Sequence, residues 1–103
     1  MKQIDRIERM EQYLDESSEA IRTLSDALER YEAIQPSLKK LSDYYGSTSW
    51  MKDYGDDEAG KLPKELKRGV LSEDAVYDLL TDHHELMLRL SRAVTKSIDS
   101  KLL

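Results

Sequence analysis

Two kinds of side-chain cluster in this chain have residue types suited to metal chemistry. His83-His84 stands between Asp82 and Glu85, a donor set that would suit a transition metal. On a helix, however, a second ligand must come from three or four positions away, where two side chains share a face. Those positions give His83 the neighbours Leu79, Leu80, Leu86 and Met87, and give His84 Leu80, Thr81, Met87 and Leu88. No metal is therefore expected, with His83 partly inside a core and His84 at the surface. Glu16-x-x-Glu19 and Glu29-x-x-Glu32 have the spacing of carboxylate pairs that hold magnesium against a triphosphate. Both pairs flank the apolar row of their helix instead of pointing along it, and Asp78 and Asp82 have no matching pair directed inward. Water is their expected neighbour.

The middle of the chain is the other place where chemistry is conceivable. Asp53, Asp56, Asp57 and Glu58 lie among glycines, but they lack the alternate-position oxygens and terminal bidentate Glu of a calcium loop. They are followed by a basic block, Lys61, Lys64, Lys67 and Arg68. Pairing between the two blocks would fold the loop on itself or join it to a second subunit, and the basic run could alternatively touch an anionic partner. Tyr44, Tyr45, Trp50, Tyr54 and Tyr77 combine large apolar area with polar tips. A chain without Phe must fill its core with other rings, so core packing competes with a contact surface for these five. Trp50 and Tyr54, four residues apart, are expected to pack together and anchor the segment. There is no nucleophile–base pairing, phosphate-cradling glycine loop or dinucleotide fingerprint, so no catalytic or cofactor-binding residue is assigned.

The elements that must position these residues follow from periodicity. Ile4, Ile7, Met10, Leu14, Ser17, Ile21, Leu24, Leu28 and Tyr31 recur in heptad-like steps of three or four, which predicts a long amphipathic helix over 1–34. Gln35-Pro36 predicts either a kink or a break, with the break favoured and a short second helix over 36–45 stopped by Gly46. The insert, 46–71, reads as loop-rich with short helical turns. Ser47 or Thr48 would cap a short helix carrying Trp50 and Tyr54, and Gly55 would weaken its far end. A final long helix over 72–100 begins at Ser72 as N-cap, with Leu71 and Val76 as staple residues on either side. Val76, Leu80, His83, Met87, Leu90, Val94 and Ile98 continue its stripe, and basic residues gather toward its end. At ~1.5 Å per residue the two long helices match, roughly 45 and 40 Å. The expected fold is all-α: one helical domain, 1–103, of two long antiparallel amphipathic helices, a shorter helix after Pro36 and the central insert, close to a three-helix bundle.

Composition narrows the function classes. A chain of 103 residues buries only about two thirds of its unfolded surface. With stripes along both long helices and little else to cover them, a homodimer or a helical protein partner is expected, Ile7, Leu14, Ile21 and Leu28 making the contact. Residues 36–71 folded back along the hairpin are the competing cover. Net charge of −5 opposes phosphate backbones and anionic lipid, which makes nucleic acid unlikely. No apolar run approaches the ~20 residues that a bilayer requires, and no signal-peptide core is present. The absence of Cys fits a reducing compartment, hence the cytoplasm.

The block Tyr44-Tyr45-Gly46-Ser47, Trp50, Asp53-Tyr54, Asp57-Glu58-Ala59-Gly60-Lys61-Leu62-Pro63, Leu66-Lys67-Arg68-Gly69-Val70-Leu71-Ser72-Glu73-Asp74 resembles a family of small bacterial helical proteins known only as a domain of unknown function. Tyr31-Glu32, Gln35-Pro36 and Tyr77-Asp78-Leu79-Leu80 extend the resemblance over nearly the whole chain. It implies no activity and no catalytic residue. The expected function is that of a non-enzymatic protein–protein interaction module, working through helix faces and through Tyr44, Tyr45, Trp50, Tyr54, Asp57, Glu58, Lys61, Lys67, Arg68 and Tyr77. The alternative is a small carboxylate-dependent hydrolase or nucleotide-binding protein.

Overall fold

The computed structural model describes residues 1–102, and residue 103, the last of the expected domain, lies outside them. Among the described residues the fold is all-α, as the periodicities predict, with no strand. Its elements are α1 (Lys2–Tyr44), α2 (Thr48–Glu58), a 3₁₀ turn (Gly69–Leu71) and α3 (Ala75–Asp99). The chain divides into two compact units, Met1–Leu38 and Lys39–Leu103, and the boundary falls inside α1.

The break expected at Pro36 does not occur, and this is a correction to the predicted architecture. Pro36 lies inside α1, and the separate helix expected over 36–45 is the last part of that element. A proline in a helix interior removes one backbone bond and crowds the preceding turn, at a cost of ~3 kcal/mol. Residues beyond it supply the offset: Leu38, Leu41, Tyr44 and Tyr45 are all half-buried, and Lys39 pairs with Asp43 at 2.8 Å across one turn. Tertiary packing of these side chains overrides the local preference.

In the first unit α1 presents its apolar row to the surface. Ile7, Leu14, Ile21 and Leu28 are exposed, Ile21 by 69%, and within residues 1–38 only Tyr31 and Leu38 are half-buried. The second unit is held by a small core. Leu71 and Val76, the residues expected to staple the start of the last helix, are the two buried hydrophobic side chains among its described residues, 6% and 3% exposed. Ser72 lies between them in extended backbone, and its hydroxyl accepts from the Ala75 amide at 3.1 Å. That is an N-cap bond, although the regular helix begins at Ala75, later than the expected residue 72.

The turn out of α1 and the end of α2 are chemically specified. Gly46 (φ +79°) turns the chain out of α1, in the left-handed conformation that costs a glycine least. Ser47 then caps α2, accepting from the Trp50 amide at 3.1 Å. The helix runs through Gly55 to Glu58, longer than Gly55 alone suggests. It closes on Gly60 (φ +72°), with the Gly60 amide on the Asp57 carbonyl at 3.0 Å and the Lys61 amide on the Asp56 carbonyl at 2.9 Å. This pair of bonds is a Schellman motif.

Two glycines of one helix therefore have opposite substitution costs. A Cβ at Gly55 meets nothing within 4 Å and the residue is helical, so Gly55→Ala should stabilise the second unit by about 0.5–1 kcal/mol. Gly60→Ala forces a side chain into positive φ and should destabilise by about 1 kcal/mol or more. Urea denaturation followed by Trp50 emission reads both, and shifts of the same sign would contradict the assigned backbone.

Candidate functional site

The candidate site is built where α1 ends. Gly46 and the Ser47 cap set α2 directly after Tyr44 and Tyr45, and the i,i+4 spacing puts Trp50 and Tyr54 on one face of α2. Their rings stack at 5.1 Å and 20°, and Tyr45 meets the opposite ring partner, Trp50, edge-on at 5.4 Å and 71°. Each ring also uses its polar tip. The Trp50 indole N–H donates to the Val70 carbonyl at 2.8 Å, the Tyr45 hydroxyl to the Glu73 carbonyl at 2.8 Å, and the Tyr54 hydroxyl to Glu73 Oε1 at 2.9 Å. Three rings from the end of α1 and from α2 thus grip residues 70–73, the entry to α3. Beside them the Tyr44 hydroxyl donates to Asp53 Oδ2 at 2.6 Å, tying α1 to α2 directly.

The loop between α2 and the 3₁₀ turn is gathered by one guanidinium. Arg68 Nη1 donates to Asp57 Oδ1 at 2.5 Å, Nη2 to the Pro63 carbonyl and Nε to the Leu66 carbonyl at 3.3 Å. Both charged groups are half-buried, so this pair is screened less than a surface one. The acidic and basic blocks therefore meet within the chain through Asp57 and Arg68. The planar guanidinium serves one carboxylate and two carbonyls at once from donors spread over three nitrogens.

Among the residues singled out by sequence, Tyr44, Tyr45, Trp50, Tyr54, Asp57 and Arg68 share this junction. Glu58, Lys61 and Lys67 are exposed, with Lys67 among the residues lining a shallow apolar groove that also involves Leu41, Val70, Ala75, Val76 and Leu79. Tyr77 is 62% exposed on α3 and stands outside the ring cluster. Asp53, expected to pair with the basic block, and Glu73 are the two carboxylates the phenols use. A phenol reaching a carboxylate nine or nineteen positions away has no spacing signature. His83 is half-buried and His84 exposed, and among the described residues no three His, Asp or Glu side chains gather to hold a metal ion.

The hydrogen bonds set the chemistry of the phenols. Donation to Asp53 pushes the Tyr44 pKa up to about 12, with burial and the carboxylate's charge acting in the same direction. Donation to Glu73 raises that of Tyr54 as well, helped by desolvation and by the nearby charges of Glu58, Glu73 and Asp57. Both hydroxyls stay protonated at neutral pH. They act as donors that fasten segments, not as nucleophiles or bases.

A family model described as Domain of unknown function (DUF4298) matches residues 7–92. The chain belongs to that family. No curated protein and no solved structure matches it. The DUF4298 match begins at Ile7 and so takes in the exposed row of α1 as well as the whole junction and most of α3.

Removal of the central ring separates its two contributions. Trp50→Phe keeps an aromatic face between Tyr45 and Tyr54 but leaves the Val70 carbonyl without its donor, at a cost of about 1 kcal/mol. Trp50→Ala also removes the stack, and since the ring is half-buried the loss should be about 2–3 kcal/mol. Circular dichroism in urea measures both, and equal costs would mean that the rings contribute nothing beyond the hydrogen bond.

Alkaline pH tests the phenols. A hydroxyl whose folded-state pKa lies above its unfolded value contributes stability that is complete below the unfolded value and is lost as pH climbs through the folded one. For Tyr44 that window runs from 10.0 to about 12. Tyr44→Phe should therefore lose less melting temperature across this range than the parent chain, the remainder belonging to Tyr54 and its raised pKa. Parallel pH profiles of parent and variant would show that the Tyr44–Asp53 bond does not link folding to protonation.

Proposed function

We propose that this DUF4298 chain is a non-enzymatic interaction module that docks a protein partner on the face of α1. The observation that carries the reading is the exposure of that face. Ile7, Met10, Leu14, Ile21, Leu24 and Leu28 stand in one row and each is about half exposed or more. Contiguous apolar area of this kind on a soluble surface marks a place for another protein or a membrane. No described helix is long and apolar enough to cross a bilayer, and a chain of net charge −5 is repelled by anionic lipid and by nucleic acid. A protein partner is what remains in favour. The absence of Cys fits the reducing cytoplasm as the place of action. The junction around Trp50 serves this function as support, since its polar groups are spent on holding α2 and the entry of α3 to the end of α1. No specific observation favours a carboxylate-dependent hydrolase.

Affinity capture from the native cell, with the parent chain and Ile21→Asp as paired baits, tests the reading. Ile21 lies on the exposed row, so the substitution should leave the helical circular dichroism and the Trp50 emission unchanged. At least one protein, a second copy of the chain included, should be retained by the parent and lost from the variant. Equal recovery by both baits would count against α1 as the docking face.

A further inference from the structure

We propose that the partner of the α1 face is a second copy of this chain, paired with it as an antiparallel two-stranded coiled coil over residues 7–31. The inference rests on the interaction-module reading and names the occupant of that surface.

The first argument is the period. Ile7, Leu14, Ile21 and Leu28 recur every seven residues, and Met10, Ser17, Leu24 and Tyr31 follow each of them three positions later. A straight helix packed on a globular core drifts away from a strict seven-residue repeat. The repeat keeps one seam in register only when two helices wind around each other. Ser17 is the one polar member of this row over the four heptads, while Ala20 and Ala27 on its flank leave room for a close approach.

The second argument is area. Within residues 7–31 seven large apolar side chains are about half exposed or more, and at roughly 100 Å² apiece they offer on the order of 700 Å², close to what one partner contributes to a standard interface.

Charge decides the direction. Helices in such a pair lie ~10 Å apart, about one Debye length, so groups at the same level along the axis influence each other. In a parallel pair Glu11, Asp15, Glu16 and Glu19 would lie level with the same four acids of the other copy. An antiparallel pair centred on Glu19 removes that crowding and keeps every apolar layer: Ile7 with Tyr31, Met10 with Leu28, Leu14 with Leu24, Ser17 with Ile21. The same register sets residues 7–18, where Glu8, Glu11, Asp15 and Glu16 outnumber Arg9, beside residues 20–31 of the other copy, where Arg22 and Arg30 balance Asp26 and Glu29. Only Glu19 meets its own kind.

Light scattering on the full chain at micromolar concentration should give twice the 11.9 kDa chain mass. Ile21→Asp should return it to a single chain with Trp50 emission unchanged. Because the chain has no Cys, L14C and L24C supply unique thiols. Oxidation of an equimolar mixture should give covalent dimer at least several-fold more than either variant alone. A parallel pair would instead cross-link each variant with itself, and that result would overturn the proposal. So would a single-chain mass at all concentrations, or a dimer that survives Ile21→Asp. A single-chain mass together with a cellular partner lost from the Ile21→Asp bait would overturn the self-pairing alone, whereas loss of both would take the interaction reading with it.

Discussion

The indole N–H of Trp50 must reach the Val70 carbonyl across a gap that no regular element spans, and the second unit is organised around that requirement. With Leu71 and Val76 as its buried hydrophobic side chains, this unit has too little enclosed apolar volume to fix its segments by burial alone. Half-buried rings with polar tips supply what a larger core would. Tyr45 and Tyr54 flank the indole on two sides, and each spends its hydroxyl on Glu73, one on the backbone and one on the side chain. A ring that contributes area on its faces and a directional bond at its edge positions a neighbour more tightly than an aliphatic side chain of equal size. The Arg68 fork adds the loop to the same construction through Asp57.

The first unit follows a different logic. Along its helix Gln12 donates to Glu16 at 3.0 Å, an exposed i,i+4 contact that supports a helix by a few tenths of a kcal/mol. Long helices in water draw most of their stability from burying an amphipathic face. An exposed row of Ile, Leu and Met therefore carries a latent stabilisation that only an added partner surface can release. The second unit closes its own polar account, while the first leaves its apolar one open, and the family match covers most of both.

What was legible in the sequence was local. Ser47 as a cap, Gly46 as a stop, Leu71 and Val76 astride Ser72, and the Trp50–Tyr54 stack all depend on groups within five residues of each other, so their spacing encodes them. Pro36 was misjudged for the opposite reason. The local rule says that a proline ends a helix, and what overrules it is packing by Leu38, Leu41, Tyr44 and Tyr45, which becomes visible only once the fold exists. The choice of Arg68 among four cations, and of Asp53 and Glu73 as phenol partners, depends likewise on where a loop passes in space. Tyr77 shows how sharply helix register discriminates. It follows the nearly buried Val76 by one position, and a rotation of about 100° around α3 is enough to carry it from the core side to 62% exposure.

The protonation behaviour of the junction bears on what kind of protein this is. A catalytic tyrosine needs its pKa lowered toward the working pH, and a catalytic carboxylate needs a partner to exchange protons with. Here the carboxylates push the two phenols the other way, Tyr44 up to about 12 and Tyr54 also upward, so that both hydroxyls keep their protons through the physiological range. The same arrangement keeps these two fastenings constant across neutral pH. Phenols committed in this way hold α2 and the entry of α3 in fixed register with the end of α1.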